Sequence, residues 1–113
     1  MIYRGEIYLI DFNNQIGCEQ IGTRPAIVVQ NDIGNMYSPT TIVCPITTRD
    51  KVTLPTHVKL STADASVHKN SIILCEQVRV VDKKRIKKKL GKVTNELKIK
   101  EINQKILVSF GIS

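Results

Sequence analysis

Five short runs of β-branched and apolar residues, each closed by turn-forming residues, fill the chain from Glu6 to Val81. Glu6 to Phe12 alternates loosely and reads as a strand. Ala26 to Gln30 is a short continuous apolar run of the kind found in a central strand. Thr40 to Ile46 is β-branched, and Pro45 within it argues for a bulge or an edge. Thr56 to Leu60 alternates again. Ser71 to Val81 is apolar at first and then alternates, with Val78 and Val80 on one face and Gln77 and Arg79 on the other. Its length permits one bent strand or two. Asn31 to Pro39 is dense in turn formers and is predicted to be a long loop.

Beyond Val81 the pattern changes. Asp82 is a suitable N-cap, which predicts a short basic helix over Lys83 to Leu90, stopped by Gly91. Thr94 can cap a second helix. Its apolar set Leu97, Ile99, Ile102, Ile106 and Leu107 follows helical spacing and gives one face to pack on a sheet. The expected fold is mainly β: one domain over residues 1–113, an antiparallel barrel with a packed C-terminal helix. Closure of such a sheet removes its exposed edges.

The length of 113 residues is enough for a core without metal or disulfide staples. No apolar run approaches the roughly 20 residues of a membrane helix. The N-terminus lacks a signal peptide's apolar stretch, so a cytoplasmic location and no membrane partner are expected. The three cysteines are widely spaced, which suits a reducing compartment. Cys44 and Cys75 sit in apolar runs as small core residues, while Cys18 lies in a polar stretch. His57 and His68 fall near none of them in sequence, so no metal site is expected.

Net charge is +7 and unevenly placed. Residues 79–100 hold ten basic side chains against two acidic ones, +8 in all, leaving about −1 for the rest. Such a cluster favours a polyanion or an acidic protein as partner, or forms a solvated lysine-rich face. Aromatic residues make up only 4%, too few for a broad base-stacking platform.

Gly17-Cys18-Glu19-Gln20-Ile21-Gly22-Thr23-Arg24-Pro25 lies between the first two strand runs. It offers a carboxylate, an amide and an arginine pinned against a proline. Pro25 biases Arg24 to extended backbone and marks where the next strand begins. A polar loop tied down at both ends can hold functional groups in place; it is also what an ordinary solvated connection looks like.

The ordered set of such pieces resembles the MazF/PemK/Kid endoribonuclease toxins of bacterial toxin–antitoxin modules. The matching pieces are Arg4-Gly5-Glu6-Ile7-Tyr8, Gly17 to Gln20 with Thr23-Arg24-Pro25, Gln30-Asn31-Asp32 with Ser38-Pro39-Thr40, and Ile46-Thr47. Further on come Leu54 to Val58, Ser71 to Leu74, and Glu76 to Arg79. The pattern is nearest to MazF toxins of Gram-positive bacteria. The family often has serine where Cys18 stands and glycine where Ile21 stands.

The resemblance implies an SH3-like barrel working as a homodimer. It implies cleavage of single-stranded RNA at a short sequence, with no metal or other cofactor, leaving a 2′,3′-cyclic phosphate and a 5′-hydroxyl. It also implies inhibition by an acidic, MazE-like cognate antitoxin, and operator DNA as a partner of the toxin–antitoxin complex. The family's catalytic arginine falls on Arg24, its catalytic threonine on Thr47 and its loop acid on Glu19. Gln20, Thr23, Asn31, Thr48, Gln77 and Arg79 are the candidate RNA contacts.

Those residue types suit attack by a neighbouring 2′-hydroxyl. A guanidinium grips two phosphate oxygens where negative charge grows, a term that often dominates catalysis. Its high pKa makes it a poor free acid or base. Thr47 can orient the scissile phosphate, or simply cap a turn. Glu19 can act as base or position Arg24. The usual histidine pair is not evident. Two other activities suit the same barrel: a gyrase-poisoning toxin, and a basic regulator that binds nucleic acid and leaves it intact.

Overall fold

The computed structural model describes residues 1–12, 22–48, 54–65, 67 and 69–112. The strands are β1 (Glu6–Asp11), β2 (Thr23–Val28), β3 (Thr40–Thr47), β4 (His57–Leu60), β5 (Ser71–Leu74), β6 (Arg79–Asp82) and β7 (Ile86–Lys92); the helices are α1 (Asp32–Tyr37) and α2 (Glu96–Ser109). All seven strands belong to one antiparallel sheet in the order β4-β5-β3-β2-β1-β7, with β6 also on β3. A bridge between Ala65 and Val93 ties the segment after β4 to the end of β7. The sheet thereby curls into the expected mainly β barrel with a C-terminal helix.

Strand alternation sorts the core into two clusters. Ile7, Ile27, Cys44 and Ile46 enter one; Ile10, Ala26, Val28 and Val43 enter the other. Each fully buried Ile or Leu contributes about 1.5–3 kcal/mol. α2 covers the first cluster through Ile99, Ile102 and Ile106. Cys44 and Cys75 are buried free thiols. A hydrogen bond with Cys75, and then burial, push the Cys44 thiol far above the ordinary thiol range, so it is inert packing.

β3 is the hub. One edge pairs with β2. The other pairs with β6 over Thr40 to Val43 and with β5 at Ile46 and Thr47. The Ile42 carbonyl accepts from the Val29 N–H on the β2 side at 2.8 Å. By alternation the Pro45 nitrogen faces the other edge, in the interval where β6 gives way to β5. Neither a bulge nor a sheet edge is needed: its missing N–H falls where no partner strand asks for one.

Two expected elements differ. The helix predicted over Lys83 to Leu90 is one 3₁₀ turn, Lys83–Arg85, followed by β7. Asp82 does cap, accepting from the Lys84 N–H at 2.8 Å. Pairing with β1 then takes the chain, with register shifts at Ile7/Tyr8 and Leu9/Ile10. The lysines that looked like a helix face instead line one end of the sheet path, where charge guards an edge strand. The predicted loop over Asn31 to Pro39 contains α1, capped by the Asn31 side chain on the Gly34 N–H. The buried Asn35 side chain donates to the Gln30 carbonyl and accepts from the Thr41 hydroxyl.

Smaller differences are local. Ser71 to Val81 forms two strands, separated by a 3₁₀ turn at Cys75–Gln77. The cap of α2 is Asn95, not Thr94; its side chain accepts from the Leu97 N–H at 3.0 Å.

Candidate active site

β1 and β2 form a hairpin that pairs Ile10 with Arg24 and Asp11 with Thr23. The Phe12 N–H donates to the Gly22 carbonyl at 2.8 Å, one step beyond the ends of β1 and β2. Gly22 has φ +80°, the left-handed region that favours glycine. Arg24 therefore sits on a strand rather than on the polar loop, and Thr23-Arg24-Pro25 opens β2.

β2 pairs with β3 through Ala26 and Pro45, Ile27 and Cys44, and Val28 and Val43. Carried two residues further, the same register sets Arg24 opposite Thr47. Residues so placed lie on one face of a sheet, with β-carbons about 4.5–5.5 Å apart. On its other edge Thr47 pairs with Ile72, and Ile72 pairs with Lys59. Arg24, Thr47, Ile72 and Lys59 thus stand in one row across β2, β3, β5 and β4.

Thr47 is only 4% exposed, and it lines a cavity of about 340 Å³ with Thr48, Lys59, Ser61, Asn70 and Ile72. A second cavity, of about 200 Å³, lies between Pro25 and Thr48 over Ile7 and Ile46. Thr48 and Ser71 border both. Thr47 thus lines the first cavity and Pro25 the second, while Arg24 lines neither.

The other sequence candidates spread around this centre. Arg79 opens β6 opposite Val43. Val43 and Thr47 share a face four residues apart, about 13 Å along the strand. Gln77 lies in the 3₁₀ turn just before, with its Oε1 buried and, among the described residues, without a hydrogen-bond partner. Thr23 is exposed at the start of β2. Asn31 sits beyond the opposite end of β2 from Arg24, with its amide oxygen used as the α1 cap. Glu19 and Gln20, like Cys18 and His68, lie outside the described residues.

His57 is structural. Its Nδ1 accepts from the Leu54 N–H at 3.1 Å, so Nε2 carries the proton toward Glu76 Oε2, also at 3.1 Å. Sequence reasoning missed Lys59, Asn70 and Phe12. Alternation in β4 separates Lys59 from Val58 and Leu60, but nothing local joins it to Thr47.

A small curled barrel closed by a C-terminal helix is the architecture of a class of small bacterial toxins, and comparison with known proteins makes that assignment. Residues 3–110 match the family of PemK-like, MazF-like toxins of type II toxin–antitoxin systems, and the chain belongs to it. It is 45% identical over 113 residues to the endoribonuclease MazF of Staphylococcus saprophyticus subsp. saprophyticus, spanning 99% of this chain and 93% of that protein. The crystal structure of MazF from Deinococcus radiodurans matches with a TM-score of 0.84 at 26% identity, over 98% of this chain and 97% of that one. An endoribonuclease from a mycobacterial species, in complex with its cognate antitoxin, matches with a TM-score of 0.82 at 21% identity, over 100% and 98% of the two chains. At that identity the last likeness speaks for the fold alone. The chain is an endoribonuclease toxin.

Proposed function

We propose that the chain cleaves single-stranded RNA at a short sequence by attack of the 2′-hydroxyl on the adjacent phosphate, with Arg24 and Thr47 as the cutting pair. The observation that supports this reading is the β2–β3 register, which, carried two residues past the Ala26–Pro45 pair, aligns Arg24 with Thr47, a lining residue of the cavity of about 340 Å³. The 2′-oxygen bonds to phosphorus and the bond to the 5′-oxygen breaks, leaving a 2′,3′-cyclic phosphate and a 5′-hydroxyl. Arg24 holds the phosphorane charge and Thr47 orients a phosphate oxygen. Glu19 takes the 2′-proton, and the leaving oxygen gains a proton from a donor in the cleft or from water. A guanidinium at the phosphate does the electrostatic work a metal ion would otherwise do, so a chelator leaves the rate unchanged.

Specificity comes from splayed bases read at their edges, by Gln20, Thr23, Asn31, Thr48, Gln77 and Arg79. The active form is a homodimer, consistent with twofold symmetry being the commonest assembly. Its regulator is an acidic cognate antitoxin drawn by the basic segment from Arg79 to Lys100, and the complex binds operator DNA.

Arg24→Ala tests the centre of this reading. It should keep the circular dichroism of the native barrel and lose about 3–4 kcal/mol of barrier lowering, by analogy with removal of one oxyanion donor. A folded Arg24→Ala protein that cuts at the wild-type rate removes Arg24 from the mechanism. Replacing the ribose at the cut with deoxyribose should abolish cleavage there, and a cut at that position would exclude 2′-hydroxyl attack.

A further inference from the structure

We propose that Lys59 binds a non-scissile phosphate of the RNA, so that the cavity beside Thr47 seats the nucleotide flanking the cut. This rests on Arg24 and Thr47 being the cutting pair.

Lys59 stands at the end of the row that runs through Arg24, Thr47 and Ile72. Two strand spacings put it roughly 10 Å from Thr47 at the backbone. It is the exposed residue of β4, while His57, Val58 and Leu60 are buried. Among the described residues no carboxylate pairs with it. A cation held on a rigid strand, with its charge unspent, faces a cleft with a second cation across the row. An RNA strand carries a phosphate at every nucleotide, so a strand gripped at Arg24 brings its next phosphate along this row.

The cavity suits the rest of that nucleotide. Its volume of about 340 Å³ is within the range of small-ligand sites, roughly 300–1,000 Å³. Leu60 and Ile72 line it with apolar surface, which a base or ribose can cover. Ser61 is held by Asp64, its hydroxyl donating to Oδ2 at 2.9 Å. The Asn70 amide oxygen accepts from the Thr62 N–H at 3.3 Å, so its NH₂ is the group left to donate to a base or ribose acceptor.

The test uses Lys59→Met, which keeps the apolar stem and removes the charge, and Lys59→Arg, which restores it. One RNA with a single mapped cut is made with a neutral methylphosphonate at each flanking position in turn. In wild type, one non-scissile methylphosphonate should lower kcat/KM roughly tenfold, the lower end of what a hydrogen bond to a charged group contributes. Lys59→Met should be slowed as much on unmodified RNA and be indifferent to that modification; Lys59→Arg should recover most of the loss. With an uncleavable RNA carrying deoxyribose at the cut, Lys59→Met should bind roughly tenfold more weakly, and its log–log salt slope should be shallower by about 0.7.

Wild-type kcat/KM, affinity and salt slope in Lys59→Met would overturn the subsite. If Arg24→Ala at the same time fails to cut, the cutting pair stands without it. If Arg24→Ala cuts normally, the cutting pair fails and takes the subsite's position in the reaction with it.

Discussion

The guanidinium carbon of Arg79 lies 4.7 Å from the centroid of the Phe12 ring. Phe12 is fully buried just past β1, and its N–H is bonded to Gly22 two residues before Arg24. The contact therefore braces the loop end of the hairpin against β6, on the face that carries Thr47. Arg79→Met should cost about 0.5–2 kcal/mol, the range for a cation–π contact on a buried ring from a half-buried guanidinium. Urea denaturation measures that loss. If Arg79 also touches RNA, the same variant should raise KM several-fold with kcat held, because a contact made equally before and during reaction changes only binding.

Thr47→Val separates the hydroxyl from the packing. The shape is retained, and loss of a buried hydroxyl should cost about 1–3 kcal/mol of stability. The cutting rate should fall by roughly 10²-fold, as for removal of one positioned donor. Single-turnover cleavage reads this directly. An unchanged rate would leave Thr47 as a strand-end residue that merely borders the cleft.

The β1–β7 junction sets the response to acid and base. Burial alone would raise the Glu6 carboxyl, but Lys89, the Tyr3 N–H and the Tyr8 hydroxyl outweigh it and hold it below its ordinary 4.5. The Tyr3 N–H donates to Glu6 at 2.7 Å and the Tyr8 hydroxyl at 2.9 Å. With the folded pKa lowered, this stabilisation is complete above the unfolded value and is lost as pH falls through the folded one. Glu6→Gln should flatten the acid limb of a stability–pH curve.

Tyr8 works in the opposite sense. Burial, and then Glu6, push its phenol up from 10.0 to about 12. A raised folded pKa gives stability that is complete below the unfolded value and lost as pH rises toward about 12. Tyr8→Phe should remove that share of the alkaline loss. Denaturant melts across this pH window would show it.

Asn35 should be the most sensitive polar residue of the described core. It is 2% exposed, and its side chain bonds with Gln30, Asp32 and Thr41. The Lys83 ammonium donates to its carbonyl. Asn35→Ala leaves the buried Thr41 hydroxyl and Gln30 groups without that partner, at about 1–3 kcal/mol. The unfolding midpoint should fall accordingly, with α1 loosened first in hydrogen exchange.

Strand existence was legible because alternation is local: Glu6 to Phe12 and Thr56 to Leu60 carry it in their own side chains. α1 was hidden because Asn31, Asp32 and Asn35 are turn formers by composition. They act here as a cap and a buried network whose partners, Gln30 and Thr41, lie across a turn. The run Lys83 to Leu90 misled for a related reason. Asp82 supports only one turn, and the unsatisfied edge of β1 then recruits the chain as β7.

For the site, residue types were readable and geometry was not. The Arg-Pro and Ile-Thr pairs drew attention to Arg24 and Thr47, and similarity to the toxin family named their roles. No local signal set them in one row with Lys59. Taken alone, the amino-acid order determined a short-stranded, mainly β chain with a helical tail and a charge excess near its end, because each of those depends on neighbours a few residues away. The alignment of Arg24, Thr47 and Lys59 along one row depends on inter-strand register, which is decided by burying opposite faces of distant segments together, and only the tertiary structure holds that information.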